Sequence, residues 1–444
     1  MTNPKSETAQ LDPFWMPFTD NRSFKQKPRM VTSAKGMFYR DADGHEIMDA
    51  MSTLWCVNAG HCNPHIVEAI ARQAGELDYA SSFSMSHPLP FELARRLTSL
   101  APEGLNHVFF TNSGSESVDT ALKMALGYHR LKREGTRNRF IGRERAYHGV
   151  NLGGIAVSGM TTNRQAYGHA ITLAADHLAH TQDLKNRAFV RGCASEGAEL
   201  ADELENRLIP IHGADNIAAV IVEPVSGAGG VLVPPAGYLQ RLRDICTKHG
   251  ILLIFDEVIT GFGRLGKPFA ADLFGVTPDL MTFAKGVTSG TVPLGGVLVS
   301  DEIYNTFMNT DAPGVEFFHG YTYSGHPLAC AAALATLDVY EQGDLLNKAS
   351  GPAGQAFEDG LHALADKPNV VDCRNLGFVG AVEMSQRDGQ KSVRALEVFD
   401  YCWRNGVFVR PVGDAIGFSP PLIAEPEHIE QMFATVGKAL DTVA

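Results

Sequence analysis

Two residues in the middle of the chain, Asp256 and Lys285, have the types and the setting for covalent and acid–base chemistry. Asp256 follows the apolar run Ile251 to Phe255, which is too short for a comfortable helix and predicts a strand buried on both faces. A turn-rich segment with Gly261, Gly263, Gly266 and Pro268 then leads to a second short apolar strand, Leu280 to Phe283, and Lys285 comes off its end. An acid and a lysine at neighbouring strand ends lie where open α/β sheets bind ligands. Phe283, Ala284, Gly286 and Val287 surround the lysine with little polarity, so desolvation favours its neutral, nucleophilic amine. Taken alone, the pair reads equally well as a surface acid and a solvated lysine.

Other strand ends carry residues that bear on this choice. A strand over His107 to Thr111 runs straight into NSGSES at 112–117, followed by a helix expected over Val118 to Arg133. Ser113, Gly114 and Ser115 would present backbone N–H groups and hydroxyls at the positive end of that helix, an anion-binding layout. The run lacks the lysine of a P-loop and the spacing of a dinucleotide fold, so it suits a single terminal phosphate; it also suits an ordinary serine helix cap. Arg139 to Gly142 leads to Tyr147 and His148, where the tyrosine either stacks on a planar ligand or packs. The apolar strand Ile217 to Val222 ends at Glu223. Glu257 follows Asp256 directly, and alternation along a strand points it the other way.

These ends need a sheet to hold them. The alternation of strand and helix from 107 to 300 predicts a doubly wound, mostly parallel α/β domain, drawn here over residues 59–330. Residues 1–58 would supply an N-terminal arm, anchored by Phe14, Trp15, Met16 and Phe18, and a hairpin with a tight Asp43-Gly44 turn. Residues 331–444, with strands over Val370 to Arg374, Gly377 to Met384 and Val407 to Arg410, would join that hairpin in a smaller α+β domain. Between them lie a loop carrying Trp55, helices over Pro64 to Leu77 and Pro90 to Leu100, and an irregular tract from Leu152 to Gly213 with one helical stretch, Glu196 to Leu208. A glycine-aromatic loop from Phe317 feeds an alanine-rich helix, Ala329 to Tyr340, and Gly417 falls in a loop after Arg410.

The 444 residues suffice for two or three domains, and 38 basic against 50 acidic residues leave a net charge of −12. Neither nucleic acid nor an anionic membrane has an electrostatic footprint here. Seven cysteines (Cys56, Cys62, Cys193, Cys246, Cys330, Cys373 and Cys402) are scattered without a C-x-x-C pair, which points to no disulfide framework, no metal site and a reducing cytoplasm. The polar first ten residues carry no apolar run of signal-peptide type, and no stretch reaches membrane-spanning length.

A phosphate cup at 113–115, an aromatic at 147, an acid at 256 and a lysine at 285 together describe a site for a flat, phosphorylated, aldehyde-bearing heterocycle, namely pyridoxal phosphate. Its chemistry needs an amine to hold the aldehyde as an imine, a carboxylate to keep the ring nitrogen protonated, and donors for the phosphate. From about Asp12 to its end the chain resembles the class III aminotransferases of the fold type I (aspartate-aminotransferase-like) pyridoxal-phosphate enzymes. Within them it is most similar to the ω-amino acid:pyruvate (β-alanine:pyruvate) type. The resemblance is carried by NSGSE at 112–116, YHG at 147–149, EPV at 223–225, FDEVITGFGR at 255–264 and PDLMTFAKG at 278–286.

That resemblance implies Lys285 as the cofactor's imine partner and proton carrier, and Asp256 as partner of the pyridine nitrogen. Tyr147 and Val258 would flank the ring, with Glu223 close by. Ser113, Gly114 and Ser115 would hold the phosphate, joined by Thr322 of GYTYSG at 320–325 from the neighbouring subunit of a homodimer or a dimer of dimers. Arg410, at the end of VFVR, would pair with a substrate carboxylate and swing aside for uncharged groups. Trp55, Phe18, Phe83 and Ala228 would line the substrate pocket, and Gly417 would leave room beside it. The implied reaction is ping-pong transfer of an amino group from β-alanine-like donors or primary amines, aromatic ones included, to pyruvate, giving alanine. The rivals are an aminomutase, or an aminotransferase for taurine, GABA or a diamine.

Overall fold

The computed structural model describes residues 11–310 and 313–443, so the polar residues 1–10 lie outside it. Near the N-terminus β1 (Val31–Lys35), β2 (Phe38–Asp41) and β3 (Glu46–Asp49) form an antiparallel meander. Gly44, at φ +88°, takes the left-handed conformation the expected turn requires. Helices α1 (Pro64–Glu76) and α2 (Pro88–Leu100) follow, each opening on a proline whose missing N–H costs nothing in a first turn.

The central sheet contains β4 (His107–Thr111), β5 (Arg139–Glu144), β6 (Ser158–Gly159), β7 (Ala175–Leu178), β8 (Ile217–Val222), β9 (Leu252–Asp256), β10 (Leu280–Phe283) and β11 (Gly295–Val299). Across it the order is β4, β11, β10, β9, β8, β5, with β6 and β7 both pairing with β5. β11 runs antiparallel to both its neighbours, and the other pairings are parallel. Every residue of β8, β9 and β10 is buried. Their side chains divide with period two: Ala219, Ile221, Leu252 and Ile254 join Val118, Ala121 and Ala125 of α3 (Gly114–Leu131) in one core. Val220, Val222, Leu253 and Phe255 join Leu239, Leu242 and Ile245 of α4 (Tyr238–His249) in another. Helices thus cover both faces, and each fully buried Val, Leu, Ile or Phe contributes roughly 1.5–3 kcal/mol.

Beyond α5 (Ala270–Phe274), α6 (Pro327–Gln342) carries the alanine-rich run and continues through residue 330, the expected boundary between the large and small domains. After α7 (Pro352–His362), a second small sheet is built from β12 (Val370–Leu376) and β13 (Val379–Met384). α8 (Val393–Arg404) leads to β14 (Val407–Phe408), β15 (Arg410–Val412) and β16 (Ala415–Phe418), and α9 (Pro426–Thr442) closes the chain. The second sheet runs β12, β13, β16, β15, antiparallel throughout. β14 instead pairs in parallel with β3, Val407 opposite Met48, so both chain ends build the smaller layer.

Three local expectations change. The run 407–410 is not one strand, because the chain switches sheets at Val409. Gly417 lies in β16 rather than a loop. The stretch 196–208 is a 3₁₀ turn (Ala198–Asp202) and a π turn (Leu204–Leu208), followed by a short helix (Ile209–His212), since Pro210 has no N–H to continue regular α hydrogen bonding.

Candidate active site

Five parallel strands end on one side of the sheet, and each delivers part of one site. β4 ends two residues before Ser113, β5 three before Tyr147, β8 directly before Glu223, β9 at Asp256 and β10 two before Lys285. Ser113, Gly114, Ser115, Tyr147, Glu223, Asp256, Val258 and Lys285, with His148, Gly149 and Ile259, line a cavity of about 170 Å³.

The serine run forms the helix cap its sequence allowed, and the same residues line the cavity. Ser113 caps α3, its Oγ accepting from Glu116 N at 3.2 Å, and Asn112 N donates to Glu116 Oε2 at 2.7 Å. The helix therefore starts at Gly114, earlier than Val118, and the N–H groups of Gly114 and Ser115 belong to its first turn, which has no intrahelical acceptors. Gly114 has to be small: a Cβ there would stand 2.9 Å from Val258 Cγ1. Gly149, at φ +95°, brings its loop so close that a Cβ would lie 2.6 Å from Ser115 Oγ.

Asp256 is buried and held from three directions. Its Oδ2 pairs with His148 Nδ1 at 2.8 Å, and its Oδ1 accepts from Thr282 Oγ1 at 3.0 Å and Val258 N at 3.2 Å. The parallel register places Thr282 opposite Asp256, so adjacent strands fix the carboxylate between them. Lys285 begins a 3₁₀ turn at φ +48°, and its Nζ lies 5.9 Å from the centre of the Trp55 ring system. Glu223 accepts from Tyr147 N, Gly227 N and Ser226 Oγ at 2.9, 2.9 and 3.2 Å, tying two loops together. Burial raises its carboxyl above the usual range, and burial followed by the charge of Asp256 raises the Tyr147 phenol.

Glu257 faces away, as alternation requires. It accepts from Ala270 N and Ala271 N at 2.7 Å each and from Thr260 Oγ1 at 2.9 Å, serving the start of α5. Burial pushes its carboxyl up to about 7.

Trp55 and Arg410 lie close to Lys285. The Arg410 guanidinium lies 5.9 Å from the Trp55 ring, so the indole neighbours both Lys285 and Arg410. Trp55 packs with Met51 and Ile259, and against Phe408 and Val412. Burial lowers the Arg410 guanidinium from its ordinary value, with the Tyr147 phenol acting in the opposite sense. Gly417 is the cross-strand partner of Arg410, and a Cβ there would make only ordinary contacts with Val412 and Met51.

The remaining expected residues lie elsewhere in the subunit. Phe18 and Phe83 are 74% and 58% exposed, and neither lines the cavity. Thr322 is exposed, its carbonyl accepting from Tyr79 Oη at 2.9 Å, and Phe83 lies against Gly320 of the same loop. Ala228 is half-buried in the loop after Glu223. Conversely, His148, Thr282, Gly149 and Ile259 were not singled out for the site. The signal for His148 was its place beside Tyr147, and for Thr282 its lone hydroxyl in an apolar strand.

Known proteins resemble this chain over nearly its whole length. The family model described as aminotransferase class-III matches residues 20–440. The chain is 56% identical to an omega-aminotransferase of Caulobacter vibrioides, over 99% of this chain and all of the relative. It is 50% identical to a beta-alanine–pyruvate aminotransferase of Pseudomonas aeruginosa, over 99% and 98% of the two chains. An amine transaminase from an uncultivated Pseudomonas species, solved in its PLP-bound form, superposes with a TM-score of 0.89 at 35% identity, covering 97% of this chain and 99% of that one.

Proposed function

The chain belongs to the class III aminotransferases, and on that footing we propose that it transfers an amino group from an ω-amino acid or a primary amine to pyruvate, with pyridoxal phosphate in the cavity beneath Trp55. The observation that carries this reading is the convergence of Lys285, Asp256 and the first turn of α3 on one cavity. The donor set fits the cofactor: helix N–H groups for a phosphate, an anchored carboxylate for a ring nitrogen, a lysine for an aldehyde, and glycines where a Cβ would fill the space.

When bound, pyridoxal phosphate supplies the aldehyde that takes up the amino group and a ring that accepts electrons. Lys285 would tether the aldehyde, and its Nζ would hold and move the proton at the reacting carbons. Asp256, fixed by His148, Thr282 and Val258 N, holds the proton on the ring nitrogen. Tyr147 and Val258 would wall the ring and Ser113, Gly114 and Ser115 would hold the phosphate, while Glu223 keeps the Tyr147 loop in place. Arg410 receives the carboxylate of an ω-amino acid and then of pyruvate, with Trp55 between it and Lys285.

The exposure of Phe83, Thr322 and the N-terminal aromatics supports a homodimer in which Thr322 completes the partner's phosphate site and Phe18, Phe83 and Ala228 border a shared pocket. We divide the chain into residues 1–58, 59–330 and 331–444, with α6 as the connector. Among the described residues no helix is long and apolar enough to cross a membrane, and we place the enzyme in the cytoplasm.

A donor panel with pyruvate tests the reading. β-Alanine with pyruvate should yield alanine, and omitting pyruvate should stop the reaction. Rearranged amine without pyruvate consumption would mean an aminomutase, and turnover of taurine, GABA or a diamine in preference to β-alanine would move the donor assignment.

A further inference from the structure

The turn that presents Trp55 is strained. Within four residues Ser52, Thr53 and Trp55 lie at φ +45°, +61° and +59°. Thr53, with ψ −78°, adopts the tight γ-turn conformation that β-branched residues avoid. Such outliers persist only where the surroundings over-determine them.

The over-determining group is Asp49, fully buried at the end of β3. Its Oδ1 accepts from Met51 N at 3.0 Å and Thr53 N at 2.9 Å. Its Oδ2 accepts from Thr53 Oγ1 at 3.3 Å and pairs with His61 Nε2 at 2.9 Å. One carboxylate thus grips the central residue of the γ-turn and the backbone leading into it, and the imidazole fixes the carboxylate. The Tyr39 hydroxyl bonds Thr53 Oγ1 as well, and Ser52 Oγ donates to Ser419 O at 2.8 Å. The product of this arrangement is the placement of Trp55, buried, 5.9 Å from Lys285 Nζ and from the Arg410 guanidinium.

We propose that Asp49, fixed by His61, is a positioning residue that holds the strained turn 51–55 and thereby sets, through Trp55, how donors with and without a carboxylate are ranked. This rests on the aminotransferase reading above.

Asp49→Asn tests it, because it keeps an acceptor for the two N–H groups but sets an amide against Thr53 and His61. The first readout needs no cofactor. In apoprotein whose other tryptophans, Trp15 and Trp403, are phenylalanine, acrylamide quenching of Trp55 should rise about twofold. The second is the ratio of kcat/KM for β-alanine to that for 1-phenylethylamine, which should change by about fivefold or more. In a Trp55→Ala background the same Asp49→Asn change should leave that ratio where Trp55→Ala put it, because both act through one side chain. An unchanged ratio, unchanged quenching, or an equal shift in both backgrounds would overturn the proposal. Should Asp49→Asn fail to fold, Thr53→Val at a half-buried position removes the hydroxyl's contacts with Asp49 and Tyr39 but keeps the backbone bond to Asp49, and must meet the same three criteria. If the wild-type protein moves no amino group from either donor to pyruvate, the functional reading fails, while the quenching still judges the turn.

Discussion

Three acids stand at the ends of adjacent strands, and the fold gives each a different task through its donors. Asp256 faces the cavity and is held by His148, Thr282 and a backbone N–H; Glu223 ties loops; Glu257 serves α5 on the far side. Lys285, which lines the cavity, is the residue on which we propose that turnover depends. Lys285→Ala should lower amino transfer by more than about a thousandfold and abolish the visible absorbance of the cofactor–lysine linkage while circular dichroism stays native. Glu257 makes a separate prediction about stability. Its carboxyl is raised to about 7 in the folded state against about 4.3 unfolded, so the folded protein holds the extra proton between those values and stability falls as pH rises through that window. The deficit is absent below the lower value and complete above the upper one. Glu257→Gln does not titrate, so its urea midpoint relative to wild type should be higher at pH 8 than at pH 5. The reverse order would show that the donors on Glu257 outweigh its burial. Asp256 and Lys285 were legible because their own neighbours in the chain are strands and apolar residues. His148 was not, since its partner is 108 positions away and only the sheet brings them together.

At the level of elements, strand ends decide the site. The apolar runs of β8, β9 and β10 announced themselves, because burial on both faces leaves no polar residue to obscure them. β7, with Asp176 and His177 in only four residues, and β16, reached by a short turn from β15, had no comparable pattern. The second omission matters for specificity. Arg410 and Gly417 are directly opposed across β15 and β16, and opposed residues project from the same face of a sheet. A Cβ at Gly417 would already touch Val412 and Met51, with the Arg410 carbonyl 3.7 Å away. Arg410→Ala should reduce kcat/KM for β-alanine about a hundredfold and for 1-phenylethylamine less than about fivefold, in keeping with the loss of one charge-assisted pair. Gly417→Val should do the opposite: its Cβ fits, but its branches crowd the path by which the guanidinium would swing aside. The neutral amine should then lose about tenfold more than β-alanine. Equal losses on both donors in either variant would remove Arg410 from carboxylate recognition.

At the scale of the molecule, one subunit carries a cavity lined by its own strand ends and, separately, an exposed loop whose residues were expected at the same site. Phe318 and Tyr323 are 88% and 57% exposed, Thr322 is exposed between its neighbours, and Phe83 packs on Gly320 of that loop. We propose that a second copy of the chain covers this exposed apolar group, and a two-fold axis would then give each subunit the loop of the other. The proposal that Thr322 serves its partner's cavity in a homodimer is tested with mixed dimers that combine one Lys285→Ala subunit with one Thr322→Ala subunit, assayed at limiting pyridoxal phosphate. If the loop acts in trans, the site that keeps Lys285 receives the intact Thr322 of the other subunit, and the site without Lys285 receives the alanine. One complete site survives, and the mixed dimer should show about half of wild-type turnover. If Thr322 acts in cis, the surviving lysine sits with an alanine at 322, and activity should not exceed half that of the Thr322→Ala homodimer. The two outcomes differ by the full effect of Thr322→Ala, which is first measured on the homodimer as a loss of cofactor affinity.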